Sequence, residues 1–227
     1  MTEYGKGKKR SRRTPPVANI ICCLIDRSAS TIDMAGAPIF EMKKQIDILR
    51  NNSSKSNVDI RFTLASFNDN IEFLMINKSL INEPTPKREK FIELLRPKGR
   101  SKLYTSILKS LTMLEGHRQE YLKDLPASVS KLDPEVAISL IVLTDNIDIE
   151  RNRELSEEVR SSLRKGFCNG LRFKIIIANS YTKNIKRDLD LKTSHIIQTE
   201  CNYTSIKNTL KKLNNIIKNI DTEYNYI

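Results

Sequence analysis

The chain has 227 residues, 39% of them hydrophobic, enough to bury a sizeable core without staples. Charged residues make up 29% and the formal net charge is +12, a positive field that favours anionic partners without specifying one. Four cysteines with no Cys-x-x-Cys pair argue against a secreted disulfide scaffold, and no apolar stretch is long enough to span a bilayer.

Residues 1–16 read as a basic tail. Lys6, Lys8, Lys9, Arg10, Arg12 and Arg13 stand against the single acid Glu3, and few apolar residues accompany them. The tail lacks the apolar run and cleavage site of a signal peptide, so the expected setting is cytoplasmic or nuclear. Such a tail suits nucleic-acid binding or targeting, and equally a solvated terminus.

From Val17 onward, strand-like and helix-like patterns alternate. Residues 19–25 form an apolar strand in which Cys22 and Cys23 face opposite sides of a sheet. Residues 38–50 read as a helix with Ile39, Met42, Ile46 and Leu49 on one face. Residues 58–67 alternate as a strand. The turn residues Asn68-Asp69-Asn70 join it to a second strand, 71–76, in an antiparallel hairpin at a sheet edge.

Helices follow at 87–95 and 103–115, the second extending to about residue 122 before Pro126 and Pro134 impose a loop. Residues 136–143 are almost continuously apolar, as expected of a central parallel strand covered on both faces. A charged helix at 150–165, a buried strand at 172–178, a short strand at 195–198 and a helix at 203–218 complete the pattern. The expected fold is α/β and Rossmann-like: a mostly parallel sheet, one antiparallel edge strand, and helices on both faces. The expected organisation is one domain over residues 17–218, with tails at 1–16 and 219–227.

Three segments carry candidate chemistry. Asp26-x-Ser28-x-Ser30 follows the first strand. Gly99-Arg100-Ser101 places a hydroxyl just before a helix. Thr144-Asp145 ends the central strand. In a parallel sheet these places share one edge, where ligands bind. Clustered hard oxygens suit a small hard cation such as Mg²⁺, with Mn²⁺ or Ca²⁺ as relatives. Ser28 and Ser30 could instead merely cap the following helix, and Asp145 could be an ordinary strand-end acid.

These segments resemble the von Willebrand factor A domain family over roughly residues 17–218. That family carries a metal-ion-dependent adhesion site built from Asp-x-Ser-x-Ser, a distant Thr and a later Asp. The resemblance extends to Ala65-Ser66-Phe67-Asn68-Asp69 and to Lys98-Gly99-Arg100-Ser101-Lys102-Leu103-Tyr104, which is similar to the family's Gly-Gly-Thr-x-Leu-Tyr turn.

It implies that Asp26, Ser28, Ser30, Ser101 and Asp145 hold the metal. Ser101 falls where the family usually has Thr, with Thr105, one helical turn on, as the rival ligand. Asn146 replaces the Gly that usually follows the second acid. The implied function is a protein-interaction module in which an acidic side chain of a partner completes the metal's coordination, without catalysis. The alternative is a nucleic-acid-associated protein that uses the tail and surface charge, with the domain as scaffold.

The residues give little support to an enzyme. There is no Gly-x-Ser-x-Gly elbow and no Gly-x4-Gly-Lys-Ser/Thr phosphate loop. Ser28 stands where an Asp-x-Asp phosphatase would need an acid. His117 and His195, the two histidines, have no metal-ligand spacing to Cys or acids.

Overall fold

The computed structural model describes residues 17–34, 36–55, 58–131, 134–145, 152–178, 182–213 and 215. The basic tail, Asn146 and the C-terminal tail lie outside the described residues.

Six strands form one sheet in the order β3-β2-β1-β4-β5-β6. These are β1 (Ala18–Asp26), β2 (Asp59–Phe67), β3 (Ile71–Ser79), β4 (Val136–Thr144), β5 (Leu171–Ile177) and β6 (Ile196–Gln198). Among the described residues, only the β2–β3 pair is antiparallel. The helices are α1 (Gly36–Ser53), α2 (Arg88–Leu94), α3 (Leu103–Asp124), α4 (Ala127–Ser130), α5 (Arg153–Cys168), α6 (Thr182–Asp188) and α7 (Tyr203–Lys211).

β1, β4 and β5 are buried along their whole length, because helices cover both faces of the sheet. Even-numbered residues of β1, such as Cys22 and Leu24, pack with Leu103, Tyr104 and Ile107 of α3 and Val159 and Leu163 of α5. Odd-numbered ones, such as Cys23 and Ile25, pack with Met42 and Ile46 of α1 and Ile206 and Leu210 of α7. The two adjacent cysteines therefore serve opposite cores, and all four cysteines are free thiols.

The chain runs from β1 outward to β2 and β3, then crosses to β4 on the other side of β1. β1 and β4 thus flank the point where the strand order reverses, and the loops beyond their carboxyl ends form a natural crevice. Residues 26 and 145 stand at those two ends.

Several element boundaries differ from those read from sequence. β3 runs to Ser79 and α3 to Asp124. α6 was not anticipated: its seven residues contain one apolar anchor, Ile185, too few to show a helical period. α4 spans a single turn after Pro126, within the expected loop. The last helix spans Tyr203–Lys211, and residues 214 and 216–218 of the expected element lie outside the described residues. Among the described residues, no helix is long and apolar enough to cross a membrane.

Candidate metal centre

Asp26 ends β1 with its side chain on the α3 face, following the alternation of Cys22 and Leu24. The carboxylate is 3% exposed. Its Oδ1 accepts the backbone N–H of Ser28 at 2.8 Å, closing a tight turn at the strand end. Its Oδ2 accepts two hydroxyls, from Ser101 at 3.1 Å and Thr144 at 2.7 Å. One buried acid thereby gathers three segments that are remote in sequence.

A short 3₁₀ turn, Ala29–Asp33, follows. Ser28 stands at its N-cap position but makes no side-chain capping bond there. Its Oγ lies 3.0 Å from Ser30 Oγ instead, so these two serines pair with each other rather than cap. Thr31 fixes the turn, donating both its N–H and its hydroxyl to the Ser28 carbonyl. Ser28 is buried, whereas Ser30 is exposed. The hydroxyl pair therefore runs from the interior to the surface.

The loop between α2 and α3 is laced to β1 through its backbone. Lys98 N–H donates to the Arg27 carbonyl at 2.8 Å and Ala29 N–H to the Gly99 carbonyl at 3.0 Å. From the hairpin, Asn68 Nδ2 donates to the Lys98 carbonyl, and Asp69 Oδ2 accepts Arg100 N–H. Gly99 sits at φ +70, and a Cβ there would lie 2.4 Å from Asp69 Oδ2 and 2.8 Å from Asn68 Nδ2. The site thus needs glycine both for its backbone conformation and for the close approach of the hairpin.

Gly99→Ala is expected to cost about 1–3 kcal/mol and to displace Ser101. Urea denaturation checks this, and an unchanged midpoint would contradict it.

Thr105 is the rival ligand. It is half-buried on the first turn of α3 and lines a polar cavity with Asn152, Glu154, Leu155 and Glu158. The hydroxyl bonded to Asp26 from this part of the chain is that of Ser101, itself buried. Asp145 is buried at the end of β4. Its negative charge and, above all, burial push the Asp26 carboxyl up to about 6, against the opposing hydrogen bonds from Ser28 and Thr144. The structure therefore brings Asp26, Ser28, Ser30, Ser101 and Asp145 to one edge of the sheet.

Two further contributors were not identified from sequence. The first is Thr144, the residue before Asp145. β1 and β4 run parallel with Ile25 opposite Leu143, so Thr144 is next to Asp26 in register and shares its face. Arg27 is a buried guanidinium directly beside the site. It donates to the Leu94 carbonyl at 3.0 Å and pairs with Glu72 of β3.

The donor set matches a hard divalent cation: two carboxylates and a group of hydroxyls, all oxygen. Two buried acids that repel each other present the charge such an ion would neutralise. Among the described residues there is no cluster of three or more His, Cys, Asp and Glu that could hold a metal, so hydroxyls would have to complete the coordination. The histidines are remote from this chemistry: His195 stacks on Phe167, and His117 meets Glu120 on the outside of α3.

No protein-family model and no curated protein matches this chain. Solved structures share its fold at low identity. A proximal thread matrix protein from the mussel byssus, described with a zinc-occupied MIDAS (adhesion-site) motif, is 16% identical at a TM-score of 0.53, over 89% of this chain and 45% of that one. A von Willebrand factor type A protein from Catenulispora acidiphila is 10% identical at 0.53, over 86% and 41%. The PilB minor pilin from Streptococcus sanguinis is 13% identical at 0.55, over 95% and 66%. The chain thus spans less than two thirds of each of these proteins, and what they share with it is a von Willebrand factor A-like fold.

Proposed function

We propose, on that shared fold, that this protein is a metal-ion-dependent interaction module that captures an acidic group of a protein partner through a Mg²⁺-type site. The observation that carries the proposal is the convergence on Asp26: Ser101 and Thr144 bond its carboxylate, Ser28 adjoins it, and Asp145 presses on it electrostatically. The zinc-occupied motif described for the mussel protein supports a divalent ion at this place in the fold.

Ser28, Ser30 and Ser101 would hold the ion, with Asp26 and Asp145 balancing its charge. The bound ion supplies an electrophilic position for an anionic ligand. Hydroxyls are neutral ligands, so they leave the ion's charge available to an incoming carboxylate. Ser30, at the exposed end of the hydroxyl pair, marks the side from which a partner approaches.

A ligand that binds only the native state stabilises it by mass action, by about 2.7 kcal/mol at a hundred times its Kd. Mg²⁺ or Mn²⁺ is therefore expected to raise the melting temperature of the wild type, reversibly with EDTA, and to leave Asp26→Ala unmoved. Identical melting curves with and without metal for both proteins would refute the site.

A further inference from the structure

The loop that delivers Ser101 also carries an excess of positive charge. Arg96, Lys98 and Arg100 are exposed on it, Lys102 is half-buried, and Arg27 lies buried beneath. Among the described residues, the acids that meet Arg27, Lys98 and Arg100 are Glu72 and Asp69. Glu72 pairs with both Arg27 and Lys98. Asp69 is occupied by the backbone N–H of Arg100 rather than by its guanidinium. Arg96 and Arg100 have no carboxylate partner among the described residues.

Arg100 is adjacent to Ser101, whose hydroxyl bonds Asp26, and to Gly99, whose carbonyl holds Ala29. Its position on the site's rim is therefore fixed by a backbone bond at Gly99 on one side and a side-chain bond at Ser101 on the other. A divalent ion would balance Asp26 and Asp145, and a single partner carboxylate would leave Arg96 and Arg100 without a carboxylate counter-charge.

We propose that Arg100, with Lys98 beside it, forms an anion-collecting rim that selects a partner segment carrying a second acidic residue next to the one directed at the metal. This rests on the metal-dependent reading above and adds the partner's chemistry: an acidic cluster rather than an isolated Asp or Glu. The loop from Leu95 to Lys102 contains no aromatic residue on which a base could stack, which favours an acidic peptide over a single-stranded nucleic acid.

The test uses the full chain at low salt. Three ten-residue Gly/Ser peptides serve as probes, with one central Asp, with Asp-Asp-Asp, or with Asn-Asn-Asn. Their binding is measured by calorimetry in Mg²⁺ and in EDTA. The triple-Asp peptide is expected to bind about tenfold more tightly than the single-Asp peptide, with the gap shrinking as salt is added.

Arg100→Glu is expected to close that gap while keeping the Mg²⁺-induced rise in melting temperature. Equal affinities for the two Asp peptides, a gap that survives Arg100→Glu (which would assign it to the basic residues 6–13), or tighter binding of a deoxythymidine decamer would each overturn the rim. A gap that closes in Arg100→Glu but is the same in EDTA, with no melting response to Mg²⁺, would support the rim and refute the metal site. Mg²⁺-dependent binding with no gap would do the reverse.

Discussion

Asp26→Asn is expected to stabilise the metal-free protein above pH 6 while abolishing its response to Mg²⁺. The native Asp26 carboxyl is pushed up to about 6 from an ordinary 3.8, first by burial and then by Asp145. Between those values the native state holds a proton that the unfolded chain has released. Wild-type stability therefore falls as pH rises from about 4 to about 6, by about 3 kcal/mol at most, and stays reduced above that.

Asparagine keeps the shape and has no charge to desolvate. Its Oδ1 can accept the Ser28 N–H, and its Nδ2 can donate to the Ser101 and Thr144 hydroxyls once these turn from donors to acceptors. The two proteins should be equally stable near pH 4 and separate above pH 6, by up to about 5–10 °C in melting temperature for a chain of this size. A bound divalent ion would reverse the order, because only the carboxylate supplies the charge that holds it. Asp26→Asn melting below wild type at neutral pH without metal would contradict the idea of an acid held in charge deficit. The same proton competition predicts that Mg²⁺ affinity weakens as pH falls below about 6.

Arg27→Ala is expected to be the most destabilising of the single changes around the site, costing about 3 kcal/mol or more. The guanidinium is 1% exposed and ties the end of β1 to the Leu94 carbonyl and to Glu72. Truncation leaves a cavity and removes the cation beside Glu72. The Leu94 carbonyl keeps one donor, Ser66 Oγ at 3.0 Å, which limits the loss.

Glu72→Gln should cost less, about 1 kcal/mol, because Glu72 is half exposed and water can replace much of the pair. Chemical denaturation of both variants gives the comparison. Arg27→Ala within about 0.5 kcal/mol of wild type would mean that this buried cation organises nothing.

Much of the fold was legible because its central strands are short, predominantly apolar runs. Residues 19–25, 136–143 and 172–178 announce β1, β4 and β5 without help from context. The hairpin was legible through Asn68-Asp69-Asn70, where Asn68 Oδ1 does accept the Asn70 N–H. α6 was not, since one buried isoleucine carries no period.

Within the candidate site, Asp26, Ser28 and Ser30 share one short motif. The start of α3 at residue 103 was legible, but which of the Ser101 and Thr105 hydroxyls reaches Asp26 was not. With the first residue of α3 at Leu103, Ser101 falls in the loop facing Asp26, and Thr105 turns toward the cavity beside α5. Thr144 was hidden as one more residue of a buried strand, and only the register with β1 reveals its partner. Arg27 was hidden by its charge. An arginine after a strand reads as exposed, and its burial arises from loops contributed by residues 66–72 and 94–98, which no local pattern announces.

The most direct measurement is crystallographic. Crystals soaked in Mn²⁺ and recorded at a wavelength where manganese scatters anomalously should show one strong peak in contact with the hydroxyls of Ser28, Ser30 and Ser101, and none in Asp26→Ala crystals. A wild-type map with no peak there, and with Ser101 still bonded to Asp26 and Ser28 to Ser30, would contradict the metal-centre account.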